Sequence, residues 1–317
     1  STLVYRYGPT LMGKIFIAVI CVSIGFAVLQ FLNIEPAWTV FDFLSRFQPR
    51  EYESFYDYRD RAMGLSYTPV HLGTQICLLF ACAIALICWK DRNYRCLQTL
   101  DLRIIGLWLF AFAASTVSGN RSPILGLVAF AVGYCWFIRP ALGAFVTLVG
   151  LVTVPFLEQI MELIAVTGLR IADTENSSSD GRATLQAYGI RLFLDNLLGY
   201  GVAFNSTDHW VPYWTEFRHY ENPLAITRHA LHNYFLMVLN KYGIAILTLA
   251  PIIGFWMWKR LPVTLMFVPY IVHIYYHNDG PMQGDFLIWL LLPIFTAMPY
   301  MQNVRGRARP MGVPSPA

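Results

Sequence analysis

Two histidines and an asparagine open the apolar run RHALHNYFLMVLNKYG, Arg228 to Gly243. An imidazole titrates near neutral pH, so it can take a proton from a hydroxyl in a way few side chains can. His232 at a membrane face could therefore serve as a catalytic base; the competing reading is a polar residue that marks where a helix leaves the bilayer. A second chemical signal is Arg121 in SGNRSPILGLVAF. Ser122 followed by Pro123 reads as an N-cap and a first-turn proline. A guanidinium beside a helix N-terminus suits a phosphate group, and an arginine snorkelling to lipid headgroups is the alternative. Arg59 and Arg61 in YRDRAMGLSYTP could also face an anion from outside.

The elements that must hold these residues are apolar helices. Of the 317 residues, 56% are hydrophobic and only 13% charged, about half the charge of a soluble domain. The mean hydropathy is +0.48. Long apolar runs recur at Leu11–Ile34, Thr68–Trp89, Ile104–Ser118, Pro123–Ile138, Ala141–Val166, Leu231–Trp258, Leu261–Tyr276 and Phe286–Met301. Their lengths approach the roughly 20 residues that a spanning helix needs. The expectation is an all-α polytopic membrane protein with about eight transmembrane helices, forming a single integral-membrane domain over residues 1–317.

Basic residues fall in alternate connections: KDRNYR, Arg103, Arg139, Lys259 with Arg260, and RGRAR. The positive-inside rule assigns these to the cytoplasm, with residues 302–317 as a cytoplasmic tail. The other connections, including a large loop over 167–230, then lie outside. The first span lacks a small-residue cleavage site and reads as a helix rather than a leader. The chain opens on Ser1, which fits removal of an initiator methionine or a chain lacking upstream helices. None of the six cysteines falls outside, so no disulfide is expected, and no spacing resembles a metal site. The net charge of +4 is explained by inward-facing loops and calls for no nucleic acid.

Within the outer loop, ADTENSSSDGR reads as a loop and a helix start, with Ser179 or Asp180 as cap. The helix, from about Arg182 to Leu197, carries Leu185, Tyr188 and Leu192 as a stripe suited to the membrane face. Arg182 and Arg191 are nine residues apart and fall on opposite faces. DHWVPYWTEFRHYENP adds aromatics that could stack on sugar rings or form an interfacial belt. His229 and His232, three apart, would share a helical face. The cheap position for Lys241 is near the outer interface, with the spanning part starting at about Gly243. His277 and Asp279 in HNDGPMQGD form a rival outer pair.

Taken in order, RAMGLSYTP, SGNRSPILGLVAF, DGRATLQAYGIRLFLDNLLGYGVAFN and HNYFLMVLNKYGIAILTL resemble the bacterial O-antigen ligase and O-antigen polymerase superfamily, from Arg61 to Leu249. The resemblance implies a glycosyltransferase C-like fold with one large, partly helical periplasmic loop. It implies a metal-independent glycosyltransferase without cofactors, in the bacterial inner membrane with its active site facing the periplasm. The donor would be a glycan on undecaprenyl diphosphate; the acceptor would be a hydroxyl of lipid A–core or of another lipid-linked glycan. Carried onto this sequence, His232 would be the base, Arg121, Arg182, Arg61 and Arg191 the diphosphate ligands, and Asn233 and His229 supporting groups. A transporter or flippase of lipid-linked glycans, and a scaffold whose outer loop binds a partner protein, are the competing classes.

Overall fold

The computed structural model describes residues 8–47, 61–91, 94–156, 159, 178–282, 285–292 and 294–295. Among these every regular element is helical. The helices are α1 Pro9–Phe31, α2 Glu35–Ser45, α3 Pro69–Asp91, α4 Arg95–Gln98, α5 Leu102–Val117, α6 Arg121–Ile138 and α7 Pro140–Thr153. They continue with α8 Ser178–Asp195, α9 Trp214–Phe217, α10 Ala225–Arg228, α11 Tyr234–Tyr242, α12 Ala250–Lys259 and α13 Leu261–Tyr275. A 3₁₀ segment, Gly243–Leu249, joins α11 to α12.

Among the described residues, four segments are long and apolar enough to cross a membrane: Pro9–Phe31, Pro69–Trp89, Arg121–Ile138 and Tyr234–Lys259. Leu102–Val117, Pro140–Thr153 and Leu261–Tyr275 are apolar but shorter. The eighth expected run, Phe286–Met301, lies partly outside the described residues, where 287–292 are helical. The expected cytoplasmic tail at 302–317, Arg59 and residues 167–177 of the expected outer loop also lie outside them.

The apolar helices differ in what surrounds them. In α3 the most apolar window is 72% buried, against 17–33% in the other three long segments. A helix that is apolar on all sides belongs at the centre of a bundle, and α3 packs against α1, α5, α6 and α13. Leu72, Ile76, Leu79 and Phe80 form the middle of this core. The outward sides of α7 and α12 show Phe145, Leu151, Phe255 and Trp258, as expected of surfaces that face lipid tails.

Close approach of α6 and α13 requires a residue without a side chain. A Cβ at Gly126 would lie 2.6 Å from both Cα and the carbonyl oxygen of Pro269. Near the N-terminal end of α3, Gly73 plays a similar part. A Cβ there would come within 2.8 Å of His273, 2.9 Å of Asn120 and 2.9 Å of Pro123.

A second, smaller core lies in the loop region. Leu185, Tyr188 and Leu192 of α8 pack with Phe204, Phe217, Ile226 and Leu231. The apolar stripe of α8 thus faces protein instead of lying on a membrane, because the aromatic-rich segment folds back over it. Tyr213 and Phe217 meet the Tyr188 ring edge-on. The Tyr188 hydroxyl finds the acceptor it needs in the carbonyl of Ser206, at 2.9 Å.

The expected run Leu231–Trp258 is divided at Gly243, where φ is +62°. Backbone of Leu197 and Leu198 occupies the space a Cβ would need at Gly243. Gly199, at φ +83°, faces Lys241 and Gly243 in the same way. Three main-chain bonds close the junction: Tyr200 N–H to Asn240 O at 2.8 Å, Gly201 N–H to Lys241 O at 3.0 Å, and Ile244 N–H to Leu197 O at 2.7 Å. Only glycine accepts such conformations and such proximity at little cost.

Gly126→Ala will drive a methyl group into the backbone of α13. The expected cost is about 1–3 kcal/mol, measured as a lower thermal unfolding midpoint in detergent or nanodiscs. An unchanged midpoint would mean that α6 and α13 can part without penalty.

Candidate functional site

The site is built around the N-terminal ends of α3 and α6 and the C-terminal end of α13, covered by α8 and the linker before α11. At the start of α6, Asn120 is the N-cap: its backbone is extended, at φ −99° and ψ 118°, and its side chain accepts from the Ser122 N–H. The sequence reading placed the cap two residues later, at Ser122. With Asn120 as cap, Arg121 becomes the first helical residue and Ser122 is released for another task. Asparagine caps helices about as well as serine, so the SGNRS segment contained both possibilities.

Ser122 is 3% exposed. Its hydroxyl lies 2.9 Å from Asn120 Oδ1, 2.8 Å from His273 Nδ1 and 2.8 Å from His277 Nε2. His273 Nε2 is in turn 3.0 Å from Thr74 Oγ1 on α3. One hydroxyl therefore ties α6, α13 and the turn after α13 together, and His273 extends the connection to α3. Neither His273 nor Ser122 as a hydrogen-bonding centre was singled out in the sequence; the pairing spans 151 positions and leaves no local signal.

Arg182 projects from the first turns of α8 toward this cluster. Burial holds its guanidinium below its ordinary pKa, Arg121 depresses it further, and Tyr276 partly offsets the two. Neither neighbour is a carboxylate. The two guanidiniums repel each other, and a divalent anion would relieve that repulsion.

His232 is half-buried in the linker between α10 and α11. Burial first, then Arg182, then His229 push its pKa down to about 4. At neutral pH it is uncharged, with a lone pair available for a proton. His277, 4% exposed, is held well below 6.5 by burial, then by His273, Arg182, His232 and His71. These influences connect Arg121, Arg182, His232 and His277 in one neighbourhood.

His229 and His232 do not share a helical face. His229 has extended backbone, φ −124° and ψ 137°, at the end of α10; the linker leaves the rings 6.1 Å apart, centre to centre. His229 itself is exposed. Asn233 is the N-cap of α11, and its Oδ1 accepts from Leu236 N–H at 3.0 Å. This cap fixes where the linker ends and so where His232 stands. Farther along α11, Asn240 donates to the Gly189 carbonyl at 2.9 Å and locks α11 to α8.

Arg191 is not gathered with Arg182. It points to solvent and pairs with Asp195 at 3.1 Å and Glu216 at 3.3 Å, consistent with the opposite face that its spacing requires. Arg61 is half-buried at the start of a segment pinned to α1. There Gln30 accepts from Met63 and Gly64 N–H at 2.9 and 2.7 Å, and Ser23 Oγ accepts from Leu65 N–H at 3.1 Å. His71, on the first turn of α3, takes the Thr68 hydroxyl on Nδ1 at 2.8 Å and faces Asp279 at 3.5 Å through Nε2. Burial raises the Asp279 carboxyl above its usual range despite His71. No group of three or more His, Cys, Asp or Glu among the described residues is arranged to hold a metal ion.

Residues 105–250 match the family whose description is O-antigen ligase. The match covers 146 of 317 residues, from within α5 to the first residue of α12, and supports the superfamily resemblance read from the sequence. It takes in Arg121, Arg182, Arg191, His229, His232 and Asn233, and leaves out Arg61, His273 and His277. Neither a curated protein nor a solved structure gave a significant match.

Removing the α11 cap should loosen the ground on which His232 stands. Asn233→Ala is expected to cost about 0.5–2 kcal/mol in thermal unfolding, and Asn233→Ser to recover most of it. Equal midpoints for the two variants would show that the Asn233–Leu236 bond contributes no stability.

Proposed function

We propose that this protein transfers a glycan from undecaprenyl diphosphate to a sugar hydroxyl at the periplasmic face of the bacterial inner membrane. The O-antigen ligase match supports glycan transfer of the ligase or polymerase type. The observation that carries the finer reading is Arg182, which interacts electrostatically with Arg121 and with two uncharged histidines, His232 and His277. A diphosphate diester brings two negative charges, and the two guanidiniums offer two positive ones.

In the step we infer, the acceptor hydroxyl gives its proton to His232 and its oxygen bonds to the anomeric carbon. The bond from that carbon to the phosphate oxygen breaks, and its electron pair leaves with the lipid diphosphate. Negative charge grows on that oxygen, where Arg121 and Arg182 stabilise it more in the transition state than in the ground state. The half-buried setting strengthens this interaction, since water screens it less. Arg61 and Arg191 are secondary candidates for contacts to the donor, Arg191 only after leaving Asp195 and Glu216.

The test is transfer in reconstituted vesicles, with a polyprenyl-diphosphate-linked repeat unit as donor and either lipid A–core or free lipid-linked units as acceptor. His232→Ala should lower kcat by about 10²–10⁴-fold, and Arg182→Ala should abolish detectable transfer while leaving a folded protein. The acceptor consumed will separate ligase from polymerase. Near-wild-type activity in folded His232→Ala would remove the base assignment.

The free protein's pH profile provides a second check. His232 works uncharged, so kcat/KM falls as protonation sets in, and its depressed pKa moves that fall toward about pH 4. An acid limb near 6.5, the ordinary value for histidine, would show that another histidine is responsible.

A further inference from the structure

The cluster beneath Arg182 contains a second uncharged histidine to which the transfer step above gives no task. Its protonation pattern follows from counting hydrogens on Ser122. A hydroxyl donates once and accepts twice. Asn120 Oδ1 cannot donate, so at 2.9 Å it receives the Ser122 hydrogen. Both imidazole nitrogens at 2.8 Å must then donate to Ser122 Oγ: Nδ1–H of His273 and Nε2–H of His277. This assigns the tautomers from the network of hydrogen bonds. His273 accepts the Thr74 hydroxyl on Nε2, and the Val70 carbonyl, 3.2 Å from that nitrogen, receives no hydrogen from it. Both nitrogens of His273 are engaged. His277 keeps its lone pair on Nδ1.

His277 and His232 stand at helix ends of opposite polarity. His277 follows the C-terminus of α13, whose C-cap is Tyr276, and its N–H bonds back to the Ile274 carbonyl at 3.2 Å. His232 immediately precedes Asn233, the N-cap of α11. The partial negative charge at a helix C-terminus favours an imidazolium, and the partial positive charge at an N-terminus opposes one. Protonating His277 on Nδ1 also breaks nothing, because Nε2–H stays on Ser122.

We propose that His277, and not His232, takes up a proton when the donor's diphosphate binds, so that His232 stays uncharged and able to act as the base. The bond made is Nδ1–H, with the proton drawn from solvent. The groups around His277 are His273 on α13, Arg182 on α8, His232 in the linker and His71 on α3, with Arg121 beside Ser122 on α6 and Asp279 two residues onward. In the free protein burial first, and then His273 and Arg182, keep His277 uncharged. The two negative charges of the diphosphate offset the guanidiniums and lift the part of this effect that comes from Arg182. Both histidines then gain proton affinity, and the one at the helix C-terminus takes the proton. Its charge in turn keeps a second proton off His232. His277 is thus a positioning residue that acts on the base through charge.

This inference rests on the proposed transfer reaction, and the experiment separates the two. The pH dependence of kcat at saturating donor is measured for wild type and His277→Gln. Glutamine keeps an N–H for Ser122 and cannot titrate. With His277 replaced, the proton goes to His232, so the acid limb of kcat should move up by at least one pH unit, with activity at pH 8.5 within about fivefold of wild type. A uniform loss at every pH, or none, would assign His277 a structural role only and overturn the proposal.

Proton uptake gives an answer that does not require an active variant. Binding of the polyprenyl-diphosphate-linked sugar to protein in nanodiscs is followed by calorimetry at pH 7 in buffers of different ionisation enthalpy. His232→Gln should retain the wild-type uptake; losing it would place the proton on His232 and overturn the inference. Absence of donor binding in wild type would instead sink the transfer reading itself, and this inference with it.

Discussion

The end of the bundle that carries the candidate site depends on one buried hydroxyl whose hydrogen-bonding capacity is full. Ser122 gives its only hydrogen to Asn120 and receives one from each of two histidines. Through it the N-terminus of α6, the body of α13 and the turn beyond α13 are set in one register, and His273 passes that register to α3 by way of Thr74. A buried polar group left unmatched costs about 1–3 kcal/mol, so the fully matched Ser122 hydroxyl resists rearrangement, while Asn120 Nδ2 beside it is buried without a hydrogen-bond partner. Gly73 makes the arrangement sterically possible, since any side chain there would occupy the space of His273, Asn120 and Pro123. The position of Arg121 follows: it is the residue between the cap and the hydroxyl.

On this base the loop region adds what the bundle lacks. Alone, α3, α6 and α13 would present the histidine cluster around Ser122 and one arginine, Arg121. The small core around Tyr188 supplies the second cation by fixing α8, and the same core fixes the linker that carries His232, through Ile226 and Leu231. Arg182 and His232 come from segments about fifty positions apart and meet because both are attached to one apolar cluster. The aromatic content of the loop serves this cluster first: Phe217 is 1% exposed and Tyr188 is fully buried.

What could be read from the sequence follows the range of each signal. Helical character over the apolar runs was plain, because apolar periodicity and length are local properties. Arg121 was legible as a cation at a helix start, though its cap was misplaced by two positions because asparagine and serine compete for that role. His232 was legible from its position before a capped apolar helix. Its relation to Arg182 was not, because α8 and α11 are joined by contacts such as Asn240 with Gly189, 51 positions apart. His273 looked like any residue inside an apolar run. Its role appears only when Ser122, Thr74 and Gly73 are brought around it. The stripe on α8 read correctly as apolar, but periodicity alone cannot tell a lipid surface from a protein one.

The junction at Gly243 bears on how the site is supported mechanically. Three main-chain bonds join the turn after α8 to the end of α11, and the segment leading to α12 starts there. Neither side can slide past the other, because Gly199 and Gly243 leave no gap between their backbones. The loop region is therefore riveted to a membrane-facing segment at its foot, while Asn240 braces it higher up. The helix that carries Arg182 and the linker that carries His232 therefore share one anchorage, at the ends of α8 and α11 far from both residues.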